Sequence, residues 1–186
     1  MKAVIFNSGL GSRMGELTKD KPKCMVELYN GESIFERQIR ILSECGINDF
    51  VVTTGPYKEQ LVNIADKYNK LNFIFLDNLD YKNTNYIVSM NNANEFLNDD
   101  VLLMHGDLVF NKCLIKKILN DNRKSICLFN EENALPEKDF KGRFLNNILK
   151  EVSISIFDSN CYAFQPLYKL SKSDIEKWKK RGFKFC

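Results

Sequence analysis

Residues 2–28, KAVIFNSGLGSRMGELTKDKPKCMVEL, constrain the fold of this chain more than any other stretch. Residues 3–6 form a short continuous apolar run, which is typical of a strand covered on both faces of a parallel sheet. Gly9 and Gly11 follow this run, and residues without a Cβ can adopt positive φ and let the backbone approach a ligand closely. Hydroxyl and cationic side chains lie in the same stretch: Ser12, Arg13, Lys19, Lys21 and Lys23. The sequence therefore predicts a strand followed by a turn suited to holding phosphate.

Two common phosphate-binding motifs do not fit this turn. A dinucleotide-binding turn needs a third glycine three positions after the second, and Met14 stands there. An ATPase-type phosphate loop needs a Lys-Ser or Lys-Thr pair after a glycine at fixed spacing, and the sequence has none. The turn therefore belongs to neither of these two classes.

What remains is Gly-x-Gly-Ser-Arg-Met, followed by a Leu-Thr pair and then by Pro-Lys-x-Met-Val. This arrangement resembles the signature of the sugar-phosphate nucleotidyltransferase family, whose pattern is Gly-x-Gly-(Ser/Thr)-Arg-(Leu/Met), Leu-Thr, then Pro-Lys-x-(Leu/Met)-Val. The matching positions are Gly9, Gly11, Ser12, Arg13, Met14, Leu17, Thr18, Pro22, Lys23, Met25 and Val26. The chain departs from the family at Ser8, where Ala is usual, and at Glu16, where Pro is usual. Both departures lie in the loop that would fold over the nucleotide.

Composition and length exclude further classes of protein. With 186 residues, 44% of them hydrophobic, the chain can build the core of one ordinary domain, so we expect residues 1–186 to form a single nucleotidyltransferase domain. A net charge of +3 is too small for the basic face that nucleic-acid binding needs. No apolar run approaches the ~20 residues of a membrane span, and the chain leads directly into the first strand rather than into a signal peptide. We expect a cytoplasmic protein without nucleic-acid or membrane partners.

The cysteines argue against zinc and thiol chemistry. Six cysteines are scattered without a C-x-x-C pair, and the chain has one histidine, so no zinc ligand set is present. We expect buried, reduced thiols. Cys24 lies inside the signature, but the histidine is far away in sequence, so we interpret Cys24 as a packing residue.

Strand and helix patterns alternate after the glycine turn. A capping box at 33–36 predicts a helix that ends at Gly46, and the apolar spacing of 61–68 predicts a second, amphipathic helix. Further strands are predicted at 50–54, 73–76 and 101–104. This alternation predicts an α/β fold with a Rossmann-like, mostly parallel sheet flanked by helices, which is also the nucleotide-diphospho-sugar transferase type that the resemblance implies.

Polar segments follow each predicted strand directly. The glycine turn follows the first strand, Gly55 to Tyr57 the second, residues 77–85 the third and Asp107 the fourth. Ligands of open α/β sheets bind beyond the carboxyl ends of the strands. We therefore expect these four segments to share one edge of the sheet.

The dipeptide Gly106-Asp107 follows the fourth strand. Gly106 permits a tight turn, so Asp107 would project its carboxylate where a hard cation such as Mg²⁺ takes an oxygen ligand. The family uses a Gly-Asp pair for its metal aspartate, so the resemblance implies Mg²⁺ as the cofactor and Asp107 as its ligand. His105 either contacts a substrate or packs beside the strand, as most single histidines do.

Residues 85–90, NYIVSM, open a predicted helix. In the cytidylyltransferase branch of the family a similar run, Asn-x-x-x-Ser-(Leu/Met), lies over the bound nucleotide and substrate. The resemblance thus implies nucleotide contacts from Asn85 and Ser89. The alternative is that Asn83 or Asn85 is only a helix N-cap.

The second half of the chain gives weaker signals. A short helix is predicted at 114–119 and a terminal helix from 171 to 181, with strands at 125–129, 148–157 and 162–165. Residues 130–143 are interpreted as a polar loop whose Lys138, Lys141 and Arg143 face either an acidic substrate or water. The late second metal-binding aspartate of the family is not visible. Either the chain is C-terminally shortened, or the carboxylate comes from elsewhere, with Asp158 as the nearest candidate.

The resemblance implies a CTP-dependent cytidylyltransferase that joins CTP to a small phosphorylated acceptor and releases pyrophosphate. Acceptors of that branch are phosphocholine, 2-aminoethylphosphonate and phosphoglutamine, head groups used to decorate surface polysaccharide or lipid. Arg13 would bind the triphosphate, and Lys23 the α-phosphate and the acceptor phosphate. The expected nucleotide contacts are Ser8, Gly9, Gly11, Ser12, Gly55, Asn85 and Ser89, and the expected acceptor contacts are Tyr81, Tyr86 and His105.

Two alternative functions and the assembly state stay open at this point. One alternative is a sugar-1-phosphate nucleotidyltransferase. The other is a noncatalytic nucleotide-binding regulatory module, which the missing second aspartate favours. We expect a monomer or a homodimer.

Overall fold

The computed structural model describes residues 1–9, 11–81, 86–132 and 134–180, and for Ser12, Tyr86 and Ile87 it describes the backbone alone. In this part of the chain one eight-stranded sheet has the order β3-β2-β1-β4-β8-β6-β7, with β5 also paired to β8. The strands are β1 (Lys2–Asn7), β2 (Asp49–Thr54), β3 (Asn72–Asp77), β4 (Val101–His105), β5 (Ile126–Asn130), β6 (Lys141–Leu145), β7 (Ile148–Ser153) and β8 (Cys161–Leu170). The α-helices are α1 (Ile34–Ser43), α2 (Lys58–Ala65), α3 (Tyr86–Asn92), α4 (Lys112–Asn120) and α5 (Lys172–Lys180). Short 3₁₀ helices span Ser12–Thr18, Lys23–Met25 and Asn94–Phe96.

The parallel half of the sheet consists of β1 to β4. Strand β1 lies between β2 and β4, and Phe6 is in register with both Thr53 and His105. Strand β3 extends β2 with Asp77 opposite Thr54. The carboxyl ends of all four strands are therefore level, so the segments that follow them share one edge, as predicted.

The other half of the sheet is antiparallel. Strand β8 pairs with β4, β5 and β6, and β7 pairs with β6. The predicted α/β class with helices against the sheet is confirmed, while the complete sheet is mixed. The sheet is mixed because hairpins and short loops, rather than crossover helices, join the later strands β5 to β8.

The continuous apolar run of β1 is explained by burial on both faces. Ala3 and Ile5 lie in a core cluster with side chains of α1, α2 and α4, while Val4 and Phe6 lie in a second cluster with side chains that include Ile175 of α5. Successive strand side chains point to opposite faces, so each alternate residue supplies one cluster. The N-cap half of the predicted capping box also forms, because Ser33 Oγ accepts a hydrogen bond from the Glu36 backbone N–H at 3.1 Å.

The interpretation of 130–143 as a loop is wrong at its carboxyl end, where Lys141 begins β6. Lys141 is fully buried, and its Nζ donates to the carbonyl oxygens of Pro136 at 2.6 Å and Asp139 at 3.2 Å, so it faces neither substrate nor water. The predicted strand at 148–157 is also shorter, since β7 ends at Ser153.

The guanidinium of Arg143 pairs with two carboxylates of the antiparallel half of the sheet. It contacts Glu151 at 2.7 Å and Asp158 at 2.5 Å. Asp158 is thus occupied by an ion pair and does not line the cavity that contains Asp107. The structure does not support Asp158 as the second metal-binding carboxylate.

Candidate active site

The carboxyl edge of the parallel strands borders a cavity of about 760 Å³, a size typical of small-molecule sites. Six residues that were predicted from the sequence line it together: Ser8, Gly9, Arg13, Lys23, His105 and Asp107. They come from the glycine turn, from the short helix after Pro22 and from the end of β4. The folding of the parallel half brings these separate segments to one place.

The glycine turn is shaped by Gly11. Its backbone has φ 70° and ψ 20°, the left-handed region that glycine adopts without strain. A Cβ at Gly11 would lie 2.6 Å from Lys23 Cγ, so the absence of a side chain also admits the stem of Lys23. Thr18 Oγ1 donates to the Gly11 carbonyl oxygen at 2.9 Å and closes the turn. Gly11 therefore couples the turn to the position of Lys23.

Gly55 and Ser89 support the turn from behind rather than lining the cavity. A Cβ at Gly55 would lie 2.6 Å from the carbonyl oxygen of Ser8. On another side, the hydroxyl oxygens of Ser8 and Ser89 are hydrogen-bonded at 2.5 Å, and Ser89 is fully buried. Both residues thus position Ser8, which is a different role from the predicted nucleotide contact.

Lys23 and Asp107 form an ion pair at the cavity wall. Lys23 Nζ lies 3.2 Å from Asp107 Oδ2, and the two side chains are 26% and 40% exposed. The backbone N–H of Gly106 donates to the Phe6 carbonyl oxygen at 3.0 Å, which ties the Asp107 turn to the end of β1. A partly exposed pair contributes only about 0–1 kcal/mol, so ligand phosphates can replace Asp107 as the partner of Lys23 at little cost.

His105, the last residue of β4, presents a neutral imidazole to the cavity. Its ring makes an edge-to-face contact with Phe6 at a centroid distance of 6.2 Å. Burial lowers the pKa of His105 below its usual value, although the nearby Asp107 carboxylate opposes that shift. A neutral imidazole can donate one hydrogen bond and accept another.

The structure also brings residues to the cavity that the sequence did not single out. They are Asp139, in the segment from Pro136 to Phe140 that borders the cavity, and Phe164 and Gln165 of β8. Lys138, which the sequence placed facing either an acidic substrate or water, lines the cavity in the same segment. Local sequence carries no signal for this placement, because it depends on the pairing of β6 with β8. Asn7 lines the cavity as well, and a polar residue at the end of a buried strand was a signal that would have identified it.

The remaining predicted contacts lie elsewhere or outside the described residues. Tyr81 follows β3, is half-buried and does not line the cavity. The side chains of Ser12 and Tyr86 are outside the description, as is all of Asn85. Among the described residues, no group of three or more His, Cys, Asp or Glu side chains forms a metal site. Within the same ranges, no helix has the length and apolar character to cross a bilayer.

A parallel-sheet edge that carries a glycine turn, two cations and an aspartate is an arrangement that nucleotide-handling α/β proteins use to bind phosphate. The chain belongs to the MobA-like NTP transferase domain family, whose profile matches residues 3–141. The predicted nucleotidyltransferase family is therefore confirmed. Members of this family generally use a divalent metal.

Several curated relatives with similar sequences are cytidylyltransferases, and others are named as bifunctional protein GlmU and as a UTP–glucose-1-phosphate uridylyltransferase. The CTP:phosphoglutamine cytidylyltransferase of Campylobacter jejuni is 33% identical over 126 residues, which cover 64% of this chain and 49% of the relative. The choline-phosphate cytidylyltransferase of Streptococcus pneumoniae is 37% identical over 102 residues, which cover 53% of this chain and 44% of the relative. The matched regions thus span just under half the length of these relatives.

Solved structures agree on the fold. The inositol-1-phosphate CTP transferase from T. maritima superposes with a TM-score of 0.77 at 18% identity, covering 98% of this chain and 75% of that chain. At this identity the likeness is evidence for the fold alone.

Proposed function

We propose that this protein is a CTP-dependent cytidylyltransferase, which condenses CTP with a small phosphorylated acceptor and releases pyrophosphate. The observation that carries the proposal is the meeting of Lys23 and Asp107 at 3.2 Å on the same cavity wall as the glycine turn. Both curated relatives whose identities are given above are named for cytidylyl transfer, which favours CTP over other triphosphates.

The proposed reaction is an in-line displacement at the α-phosphorus. A phosphate oxygen of the acceptor forms a new bond to that phosphorus, the bond to the bridging oxygen of the β-phosphate breaks, and pyrophosphate leaves with the electron pair. Such reactions depend on positioning and on charge neutralisation rather than on covalent chemistry by the protein. The residues of the cavity therefore act as ligands.

Two cations and the glycine turn have roles in that scheme. Arg13 is exposed on the cavity wall, where it would bind the β- and γ-phosphates. Lys23 would exchange Asp107 for the α-phosphate and the incoming acceptor phosphate, which brings the two anions together. Backbone amides around Gly9 and Gly11 would complete the phosphate cradle.

Mg²⁺ fits the donor set of this wall. Mg²⁺ in phosphoryl-transfer sites is usually held by one or two carboxylates, substrate phosphates and water. Asp107 supplies one carboxylate, and Asp139 places a second along the same cavity. When bound there, Mg²⁺ would neutralise charge on the nucleotide phosphates.

The acceptor would lie toward His105 and the Pro136–Phe140 segment, which line the same cavity as the glycine turn. A neutral His105 would accept or donate a hydrogen bond without adding charge. Phosphocholine, 2-aminoethylphosphonate and phosphoglutamine are the acceptor class that we propose, and the products would serve to decorate surface polysaccharide or lipid. The proposed location of this chemistry is the cytoplasm.

A pyrophosphate-release screen tests the proposal. Full-length protein is incubated with Mg²⁺, each of the four ribonucleoside triphosphates and a panel of acceptors that includes these three compounds and hexose 1-phosphates. We expect release with CTP and one of the three compounds. The variants Arg13→Ala and Lys23→Ala should each lower turnover by roughly 10²-fold or more. Lys112→Ala removes a similar surface ion pair, in which Lys112 Nζ lies 2.7 Å from a carboxylate oxygen of Glu44, the C-cap residue of α1, and it should leave turnover unchanged.

Other outcomes would contradict the proposal in distinct ways. Turnover that requires a hexose 1-phosphate and UTP would favour a sugar-1-phosphate nucleotidyltransferase. A folded wild-type protein that binds CTP but turns over no triphosphate would favour a noncatalytic nucleotide-binding module.

A further inference from the structure

Asn7 carries an unused hydrogen-bond donor inside the candidate active site. The residue ends β1, is 6% exposed and lines the cavity. Its backbone N–H donates to Thr53 Oγ1 at 3.3 Å. Its side-chain Nδ2 is buried and has no hydrogen-bond partner among the described residues. Most buried polar groups are satisfied, so an unpaired carboxamide N–H₂ at this position needs an explanation.

The carboxamide of Asn7 packs directly against the turn that presents Asp107. A Cβ at Gly106 would overlap the side-chain oxygen and carbon of Asn7, so glycine is required there to make room for the carboxamide. The Gly106 N–H is bonded to the Phe6 carbonyl oxygen at 3.0 Å, which fixes this turn beside the end of β1. Asp107, the residue after Gly106, pairs with Lys23, and Asn7, Lys23 and Asp107 all line the same cavity.

We propose that Asn7 Nδ2 donates a hydrogen bond to an anionic phosphate oxygen bound at the Lys23–Asp107 pair. The identification of that phosphate rests on the proposed function, since it would belong either to the α-phosphate of CTP or to the acceptor. A hydrogen bond to an ionised acceptor is about twice as strong as a neutral one. A donor that lacks a protein partner gives up no existing hydrogen bond when it binds such an anion.

This assignment separates a ligand-binding role of Asn7 from a structural one. If the carboxamide stabilised the folded protein, its removal would lower the melting temperature. Because Nδ2 is buried without a partner, its removal eliminates an unsatisfied group instead. Loss of binding without loss of stability is therefore the specific signature of the proposed contact.

The test compares Asn7→Ala and Asn7→Asp with wild type. Calorimetric titration with CTP and Mg²⁺, and acceptor KM where turnover occurs, are measured beside thermal unfolding. For Asn7→Ala we expect a melting temperature within about 2 °C of wild type, and affinity for one of the two phosphate compounds reduced about 10- to 100-fold. A weaker CTP affinity assigns the contact to the nucleotide, and a raised acceptor KM alone assigns it to the acceptor. Asn7→Asp keeps the shape but removes the donor and adds charge, so it should bind more weakly than Asn7→Ala.

Asn111→Ala is the matched control. Asn111 Oδ1 accepts from the Leu114 N–H at 2.8 Å and caps α4, where it does not line the cavity. Its substitution should show the opposite pattern, with a melting temperature lower by about 2–4 °C and unchanged phosphate binding.

Several results would overturn the proposal. Wild-type CTP affinity and wild-type acceptor KM in Asn7→Ala would show that Nδ2 binds no ligand phosphate. If wild type transfers cytidylyl groups in the same experiment, the proposed function is retained and only the Asn7 contact is lost. Binding by Asn7→Asp equal to or tighter than wild type would show that the side-chain oxygen serves a metal instead. A different combination separates the two claims: if Asn7→Ala binds CTP more weakly than wild type but wild type shows no turnover, the Asn7 contact is supported and the proposed function fails. A wild type that binds no triphosphate and no pyrophosphate contradicts both.

Discussion

The substitution Gly55→Ala tests how tightly the end of β2 packs against the glycine turn. The added Cβ would lie 2.6 Å from the Ser8 carbonyl oxygen, whereas ordinary contact begins near 3.4 Å, so the two strand ends must separate by about 0.8 Å. All three nearest atoms belong to the Ser8 backbone, and no flexible side chain can yield. Overpacking of this kind typically lowers stability by about 1–3 kcal/mol. Replacing glycine with alanine also lowers the conformational entropy of the unfolded chain, which offsets about 0.4–1 kcal/mol of that loss.

A net loss of about 1–2 kcal/mol corresponds to a melting temperature lower by about 2–8 °C for a chain of this size. Displacement of Ser8 also moves the phosphate turn, and a misplacement near 1 Å lowers turnover by about 10²-fold. Thermal unfolding and pyrophosphate release measure the two effects. Gly9→Ala is the matched comparison, since a Cβ there meets nothing within 4 Å. It should leave the melting temperature unchanged and affect turnover alone. Gly55→Ala with wild-type stability and wild-type turnover would refute the tight approach of Gly55 to Ser8.

Three further predictions concern the scaffold. Ser33→Ala removes the cap of α1 and should lower stability by about 1 kcal/mol in thermal unfolding, without a change in turnover. Hydrogen bonds from Ser125 and Lys177 lower the pKa of Asp174 from 3.8 to about 2, so this carboxylate stabilises the fold above about pH 4 and loses its contribution as the pH falls through about 2. In denaturant titrations, the stability deficit of Asp174→Asn should therefore be largest near neutral pH and shrink from pH 4 toward pH 2, and a constant deficit would contradict the linkage. Lys141→Met removes the buried ammonium that holds two carbonyl groups of the cavity-lining segment, and it should raise the acceptor KM several-fold with unchanged CTP affinity by calorimetry. Equal effects on both ligands would argue against that role.

The parallel half of the fold and its edge were predictable because their signals are local. The apolar runs of β1, β2 and β4 are continuous since both faces of these strands are covered. Once the strands are parallel, their carboxyl ends coincide, which places Lys23 beside Asp107 although 84 residues separate them. The sequence also identified Gly11, whose positive φ matches the turn that its position in the signature required.

Strands β5, β7 and β8 of the antiparallel half were predicted, but β6 and the burial of this half were not, because tertiary contacts set them. Lys141 was interpreted as a solvent-facing or substrate-facing cation, since buried lysines without a carboxylate are rare. In the folded protein its ammonium donates to two carbonyl oxygens, those of Pro136 and Asp139, and its strand β6 is covered by pairing with β8. Asp139 also lines the cavity, and it lies in a segment without any motif that would have identified it.

Phosphorus NMR of the reaction mixture tests the central claim most directly, because it shows which bond of the nucleotide is broken. Full-length protein is incubated with CTP, Mg²⁺ and each of the three proposed acceptors. The account predicts that the triphosphate signals disappear while free pyrophosphate and a cytidylylated acceptor form in equal amounts, and that Lys23→Ala suppresses both. Formation of CDP and orthophosphate, or an unchanged CTP spectrum with every acceptor, would contradict it.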